Sequence, residues 1–127
     1  MAPSVALKMA TILLVEDEIV ISLYTSMVLE DAGYTVYCAA NGEAGLVKVV
    51  ETQPDLIVTD YMMPRMDGMA MIRELRTSGV TVPIVLATSI SEDIFKKEED
   101  RGYDAYIGKP YRESSLLGIV QSLLKVQ

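Results

Sequence analysis

The sequence predicts an α/β protein in which five parallel strands form a doubly wound sheet, a (βα)5 sandwich. Five short apolar runs alternate along the chain with segments of helical period. Three of these runs are continuously apolar, as strands covered on both faces must be. Parallel strands joined by right-handed crossovers place helices on both faces of the sheet. For a chain of this length the usual strand order is 2-1-3-4-5, the flavodoxin-like arrangement.

The five apolar runs are the predicted strands, and the first, third and fourth are the continuously apolar ones. In chain order they span residues 11–15, 35–39, 56–59, 84–87 and 105–107. In the predicted order, strands 1 and 3 are neighbours, strand 4 lies beside strand 3, and strand 5 lies beside strand 4. Such sheets bind ligands at the carboxyl ends of their strands, where the order reverses between strands 1 and 3.

The first two helices are predicted from apolar residues at helical spacing. In the first helix these residues share one face: Val20, Leu23, Tyr24, Met27 and Val28. Gly33 follows as the expected C-terminal cap of that helix. Asn41 is the expected N-cap of the second helix. The apolar positions of the second helix are Ala44, Val47 and Val50.

Three further helices complete the alternation, and they differ in how much apolar surface they carry. Met69, Ile72 and Leu75 mark the third helix, which ends before Gly79. The fourth, around residues 92–100, is strongly polar. The fifth has its apolar residues at helical spacing: Leu116, Ile119, Val120, Leu123 and Leu124.

The composition predicts one folded domain in a reducing compartment. The chain has 127 residues, of which half are apolar and 23% are charged. Residues 1–9 are expected to be a disordered extension or a cloning remnant, and residues 10–127 the domain. The single cysteine, Cys38, excludes an internal disulfide and is expected to be a small buried residue. The lack of histidine removes the commonest general base and the commonest zinc ligand.

The charge and hydropathy of the chain limit its expected partners. A net charge of -7 and a pI near 4.5 argue against direct nucleic-acid binding and against anionic lipid surfaces. No apolar run approaches the length of a membrane span, and the N-terminal segment has no convincing cleavage site. We therefore expect a cytoplasmic protein that contacts neither nucleic acid nor membrane.

Acidic, hydroxyl and amine side chains follow four of the predicted strands, at the points where the strands end. In strand order they are Glu16, Asp17 and Glu18; Asp60; Thr88 and Ser89; and Lys109. Carboxylates this close together repel one another unless a cation compensates them, and oxygen ligands of this kind suit Mg²⁺. A carboxylate beside Mg²⁺, a hydroxyl and a lysine is suited to accept a phosphoryl group.

The sequence resembles the receiver domains of two-component response regulators, the family of the single-domain chemotaxis regulator. The resemblance covers about residues 10–126 and rests on four motifs in the expected order and spacing. They are ILLVEDE, DLIVTDYMMPRMDG, PIVLATS and YIGKPY. One such motif would be a weak signal, whereas four motifs at four strand ends are specific.

The resemblance implies a role for each residue at the strand ends. Asp60 would be the phosphoacceptor, and Lys109 would pair with it or with its phosphoryl group. Asp17 would bind Mg²⁺ directly and Glu16 would hold it through water, with Mn²⁺ as an alternative metal. Asp60 and the backbone carbonyl of Met62 would be the remaining protein ligands.

The resemblance also implies a switch and a set of partners. Thr88 and Tyr106 match the switch pair, in which the hydroxyl moves to the phosphoryl group and the ring rotates inward. Lys109 would precede a cis peptide bond to Pro110. The fourth helix, fifth strand and fifth helix would form the output face.

The phosphodonor would be a histidine kinase or a phosphotransfer protein, and the target a downstream effector or a fused output domain. Such a chain would catalyse only its own phosphotransfer and dephosphorylation, as a monomer or a weak dimer. The sequence names neither the kinase nor the pathway, and it leaves open whether the chain is a whole regulator or part of one.

Two other functions remain as alternatives. A small Mg²⁺-dependent phosphohydrolase with Asp60 as nucleophile is disfavoured because Met62 stands where a second acid is needed. An unphosphorylated pseudo-receiver that acts as a binding module is disfavoured by the intact acids, Thr88 and Lys109.

Some of these residues also have purely structural interpretations. The three acids after strand 1 are favoured by the dipole at a helix N-terminus. Ser89 and Glu92 have the spacing of a capping box. Tyr106 fits a half-buried strand aromatic nearly as well as a switch residue.

Two apolar residues flank the proposed chemistry. Met62 lies two residues after Asp60, and Ile90 lies two residues after Thr88. Members of the resembling family often carry polar residues at both positions, which influence how water reaches an acyl phosphate. We hypothesise that Met62 and Ile90 shield the phosphoryl group and prolong the phosphorylated state.

Overall fold

Five parallel strands form one sheet in the order β2-β1-β3-β4-β5, which confirms the predicted fold class. The structure is a computed structural model, and it describes residues 10–96 and 101–125. The strands are β1 (Thr11–Val15), β2 (Thr35–Ala39), β3 (Leu56–Thr59), β4 (Ile84–Thr88) and β5 (Ala105–Gly108). The extension expected at residues 1–9 lies outside the described residues.

The register of the central strands brings their carboxyl ends level. Val15 at the end of β1 is aligned with Thr59 at the end of β3. One residue further on, the backbone N–H of Asp60 donates to the Val15 carbonyl at 3.0 Å. Pairing therefore continues past the end of β3, and it places Asp60 beside Glu16 at the switch point of the sheet.

Four α-helices and one short 3₁₀ turn connect the described strands and close the chain. The α-helices are α1 (Ile19–Asp31), α2 (Gly42–Thr52), α3 (Gly68–Thr77) and α4 (Glu113–Lys125). In the place of the predicted fourth helix, residues 92–100, the described residues contain only a 3₁₀ turn, Glu92–Ile94. Residues 97–100 lie outside the described part of the chain. The predicted fifth helix corresponds to α4.

The sheet has one apolar cluster on each face. One cluster includes Leu13 and Ile57 with residues of α2 and α3, and the other includes Leu14 and Val58 with residues of α1 and α4. Strands covered on both faces explain why β1, β3 and β4 are continuously apolar.

The apolar face predicted for α1 is mostly the outward face of the helix. Ile19, Val20, Leu23, Tyr24 and Met27 are 49–76% exposed. The residues that α1 buries are Thr25, Val28 and Leu29, so only Val28 of the predicted face lies in the core. The first eleven residues of α1 carry no charge, so both sides of the helix are rich in apolar residues and their spacing does not identify the inner one.

The second helix shows the same kind of error, whereas the third agrees with its prediction. In α2, Val47 and Val50 are exposed, and the helix buries Gly42, Gly45 and Val49. A Cβ atom at Gly45 would lie 2.6 Å from the sulfur of Met71, so glycine allows α2 to approach α3 closely. The predicted core residues of α3, Met69, Ile72 and Leu75, are all buried.

Three local predictions can be compared directly with the structure. Asn41 caps α2 as predicted, accepting a hydrogen bond from the backbone N–H of Ala44 at 2.9 Å. Cys38 is exposed, contrary to prediction, because β2 is an edge strand with little cover. The predicted Ser89–Glu92 capping box is also wrong, since Ser91 caps the 3₁₀ turn.

Within residues 10–96 and 101–125, no helix combines the length and the hydropathy required to cross a membrane.

Candidate functional site

Three carboxylates meet at the carboxyl ends of β1 and β3. Oxygen atoms of Glu16, Asp17 and Asp60 lie within 4.8 Å of one another. Glu16 and Asp60 are only 5% and 9% exposed, whereas Asp17 is open to solvent. The sheet register places the first two side by side, and Asp17 follows Glu16 directly. The structure therefore brings together the three acids that the sequence analysis selected.

Lys109 compensates part of this negative charge. Its ammonium nitrogen donates to Glu16 Oε1 at 2.5 Å and to Asp60 Oδ2 at 2.9 Å. Its side chain is 13% exposed, and its backbone N–H donates to the Thr88 carbonyl at the end of β4. The ion pair with Asp60 agrees with the expectation from sequence, while the pair with Glu16 was not expected.

Burial and pairing shift the pKa values of this lysine and of Glu16. Burial alone would lower the pKa of Lys109, but its hydrogen bonds to Glu16 and Asp60 and their charges raise it above the ordinary value. Burial raises the pKa of Glu16, and the hydrogen bonds from Lys109 and from the Glu18 backbone only partly offset this effect. The site thus holds a firmly protonated lysine against an acid whose ionised form is penalised by burial.

The loop after β3 fixes the other oxygen of Asp60. The backbone N–H of Tyr61 donates to Asp60 Oδ1 at 2.6 Å. The Gly68 N–H in turn donates to the Tyr61 carbonyl at 2.8 Å. A Cβ atom on Gly68 would lie 2.0 Å from the Asp60 carbonyl oxygen, so this position requires glycine. Gly68 is the last residue of the motif DLIVTDYMMPRMDG, but its close approach to Asp60 appears only in the fold.

The donor set fits a magnesium ion. Carboxylate oxygens from Asp17 and Asp60, together with a backbone carbonyl and water, are the ligands that Mg²⁺ prefers. Both oxygens of Glu16 already accept hydrogen bonds, from Lys109 and from the backbone N–H of Glu18. Both oxygens of Asp60 also accept hydrogen bonds, from Tyr61 and Lys109, so this pairing does not distinguish a direct ligand from one that acts through water. Met62 lines an open groove of about 460 Å³ together with Asp17.

The two residues of the expected switch pair both contact Ile90. The hydroxyl of Thr88, a residue that is 1% exposed, accepts a hydrogen bond from the Ile90 N–H at 3.3 Å. Tyr106 is half-buried, and its hydroxyl donates to the Ile90 carbonyl at 2.5 Å. Burial and the charges of Glu92 and Asp93 raise the pKa of Tyr106.

Thr88 and Tyr106 are therefore joined through the backbone of a single residue, Ile90. The structure thus gives Ile90 a backbone role in addition to the apolar side chain noted from the sequence.

The doubly wound fold with an acidic pocket and a lysine at its switch point agrees with the receiver class that the sequence resembles. Residues 12–121 match the family described as response regulator receiver domain, and the chain belongs to this family.

Relatives among characterised proteins are response regulators. The chain is 36% identical over 120 residues to the DNA-binding dual master transcriptional regulator RpaA of Synechocystis, covering 92% of this chain and 50% of that protein. It is 36% identical over 117 residues to the response regulator MprA of Mycobacterium ulcerans, covering 90% of this chain and 50% of MprA. The chain thus spans about half the length of these relatives.

Solved structures agree with the family assignment. The chemotaxis response regulator CheY4 of Vibrio cholerae superposes with a TM-score of 0.85 at 31% identity, covering 91% of this chain and 99% of CheY4. The signal receiver domain of a histidine kinase from Syntrophus aciditrophicus superposes with a TM-score of 0.83 at 34% identity, covering 91% of this chain and 90% of that chain.

The expectation of no direct nucleic-acid binding is wrong at the level of this family. RpaA is a DNA-binding transcriptional regulator, and the match accounts for only half of its length. The net charge of -7 belongs to a chain of 127 residues, of which 120 match about half of RpaA. Acidity of a receiver region therefore does not determine whether the regulator to which it belongs contacts DNA.

Proposed function

We propose that this chain is a phosphorylation-dependent switch in which Asp60 accepts a phosphoryl group from a histidine of a partner kinase or phosphotransfer protein. The observation that supports this most directly is the bridging of Glu16 and Asp60 by Lys109, next to the exposed Asp17. In this proposal Asp60 is the nucleophile, Lys109 is a fixed cation and the neighbouring carboxylates would hold magnesium at the same edge of the sheet.

In the proposed reaction, an Asp60 carboxylate oxygen forms a bond to phosphorus while the bond from phosphorus to the donor nitrogen breaks. The Tyr61 N–H and the Lys109 ammonium orient the Asp60 carboxylate, so that little rearrangement precedes attack. Lys109 then offsets negative charge on the phosphoryl oxygens. When bound, Mg²⁺ would supply further charge neutralisation at the same oxygens.

The switch would act through Thr88, Ile90 and Tyr106. The Thr88 hydroxyl, at the carboxyl end of the strand beside β3, would donate to a phosphoryl group on Asp60 and would thereby change its contact with the Ile90 N–H. Because Tyr106 is bonded to the carbonyl of the same residue, both contacts would change together. The surface formed by residues 89–96, β5 and α4 would carry the change to a target.

The exposed apolar stripe of α1, defined as Ile19, Val20, Leu23, Tyr24 and Met27, supports a protein as the phosphodonor. Five apolar residues on one solvent-facing side are typical of a binding surface. The stripe begins three residues after Glu16, so a protein that covers it lies beside Asp60. A small-molecule donor would have no use for this surface.

The test is incubation of the purified chain with acetyl phosphate and Mg²⁺, followed by intact-mass measurement. We expect one phosphoryl adduct in wild type. The adduct should not form in Asp60→Asn or when the metal is chelated before acetyl phosphate is added. Thr59→Ser, which keeps a hydroxyl at the neighbouring position, should retain it. An adduct that persists in Asp60→Asn would contradict the assignment, and an unmodified wild type would favour the pseudo-receiver.

A further inference from the structure

A hydroxyl pair outside the site joins α1 to the loop that carries Lys109. Thr25 Oγ1 and Tyr111 Oη lie 2.9 Å apart, although 86 residues separate them along the chain. Thr25 is 1% exposed, and Tyr111 packs against the apolar cluster between the sheet and α1 and α4. Tyr111 follows Lys109 by two residues. The hydrogen bond therefore connects the first helix with the end of β5.

The partner of Thr25 differs from the partners of comparable helix hydroxyls. Ser26 donates to the Ser22 carbonyl at 2.6 Å and Thr52 to the Lys48 carbonyl at 2.8 Å, so both are satisfied within their own helix. Thr25 Oγ1 instead bonds a side chain of another element. A buried hydroxyl left without a partner is destabilising, so the bond to Tyr111 accounts for a polar residue at this core position.

Both residues of this bond lie on segments that adjoin the site along the chain. Helix α1 begins at Ile19, three residues after Glu16, and residues 109–112 form the loop between β5 and α4. The Lys109 N–H still pairs with the Thr88 carbonyl at the end of β4, and beyond Lys109 side-chain contacts help to fix the position of the loop. A second contact acts in the same place, because Tyr24 of α1 donates to Glu113 at the start of α4 at 3.2 Å.

We infer that Thr25 and Tyr111, a hydrogen-bonded pair that we call the clamp, are positioning residues for Lys109. Their hydrogen bond holds the loop at a fixed distance from α1, and so keeps the Lys109 ammonium between Glu16 and Asp60. Neither residue contacts the reacting atoms. The kinetic consequence rests on the proposed function, whereas the effect on the environment of Lys109 does not.

The first measurement needs no phosphorylation. A lysine that is paired with two carboxylates and only 13% exposed reacts slowly with an amine-acylating reagent, because its nitrogen is shielded from the reagent. Limited labelling followed by peptide mass mapping gives the rate at Lys109 relative to Lys48 in the same molecules. We expect Thr25→Val and Tyr111→Phe to raise the relative rate at Lys109 at least threefold. Ser26→Ala, which removes the neighbouring hydroxyl, should leave it unchanged.

The second measurement is the rate of Asp60 phosphorylation by acetyl phosphate. Displacing a catalytic group by about 1 Å can cost up to about 100-fold in rate, and loss of one supporting bond should cost about three- to tenfold. The double variant Thr25→Val/Tyr111→Phe should match the single variants, because all of them break the same bond. In a Lys109→Ala background the clamp variants should have no further effect, whereas a general loss of stability would still reduce the rate.

These two measurements separate the two hypotheses. If wild type takes no phosphoryl group, the proposed function fails, and the labelling rate still decides the clamp. If wild type is phosphorylated but Lys109 labelling and phosphorylation are unchanged in Thr25→Val and Tyr111→Phe, the clamp is overturned and the proposed function stands.

Discussion

Lys109 Nζ lies 2.5 Å from Glu16 Oε1, so the lysine is hydrogen-bonded to the acid that follows β1 as well as to Asp60. A divalent cation bound by Asp17 and Asp60 would therefore act on the same group of carboxylates as the ammonium. Either positive charge reduces the repulsion among the carboxylates.

Removal of this lysine should make the fold depend more on metal. Lys109→Ala leaves Glu16 and Asp60 buried without their cation, and we expect the free energy of unfolding to fall by about 1–3 kcal/mol. Added Mg²⁺ should stabilise the variant more than wild type, because the ion then compensates the carboxylates alone. Urea unfolding with and without Mg²⁺ measures both effects. Lys125→Ala, at an exposed position, is the control, and equal Mg²⁺ stabilisation of variant and wild type would contradict the prediction.

Gly68 should be intolerant of even one methyl group. In Gly68→Ala the new Cβ would lie 2.0 Å from the Asp60 carbonyl oxygen, so the loop must shift. We expect the free energy of unfolding to fall by about 2–4 kcal/mol. Gly118→Ala is the matched control, because nothing lies within 4 Å of its Cβ and it sits within α4. In Gly118→Ala the free energy of unfolding should rise by about 0.5–1 kcal/mol, because alanine has the higher helix propensity. Similar unfolding curves for both variants would show that the close approach is not real.

The lifetime of the phosphorylated state should depend on Met62 and Ile90. Met62 is 59% exposed beside Asp17, and Ile90 is half-buried against the core next to Thr88. Met62→Asn should admit water and speed loss of the phosphoryl group several-fold. Ile90→Glu should also speed it, with some loss of stability because the side chain packs on the core. Decay in the presence of Mg²⁺ is the measurement, and unchanged decay in both variants rejects the shielding hypothesis.

The α1 stripe should matter for a protein donor and not for a small one. Leu23→Asp places a charge in the centre of the stripe, at a residue that is 61% exposed. We expect it to slow transfer from a phosphorylated kinase at least tenfold and to leave acetyl phosphate reactivity unchanged. Val50→Asp is the matched control, since it is 77% exposed on α2, which packs on the opposite face of the sheet. Equal transfer to wild type and Leu23→Asp would remove the stripe as the docking surface.

Much of the site could be predicted because its residues follow strands whose positions are clear in the sequence. Continuous apolar runs locate β1, β3 and β4, and the strand order then places Glu16, Asp17, Asp60 and Lys109 at one edge. The partners of those residues were harder to predict. The bond from Lys109 to Glu16 depends on side-chain reach across two strands, which sequence spacing does not encode.

The sequence by itself determined the strands, their order and the acids and lysine at their ends, since burial on both faces of a parallel sheet leaves a plain apolar signal. Only the tertiary structure decided which side of α1 faces solvent, that Cys38 lies on an open edge, and that Thr25 meets Tyr111. Each of these depends on which surfaces cover one another. A helix rich in apolar residues on both sides, an edge strand and a contact across 86 residues leave no periodic trace along the chain.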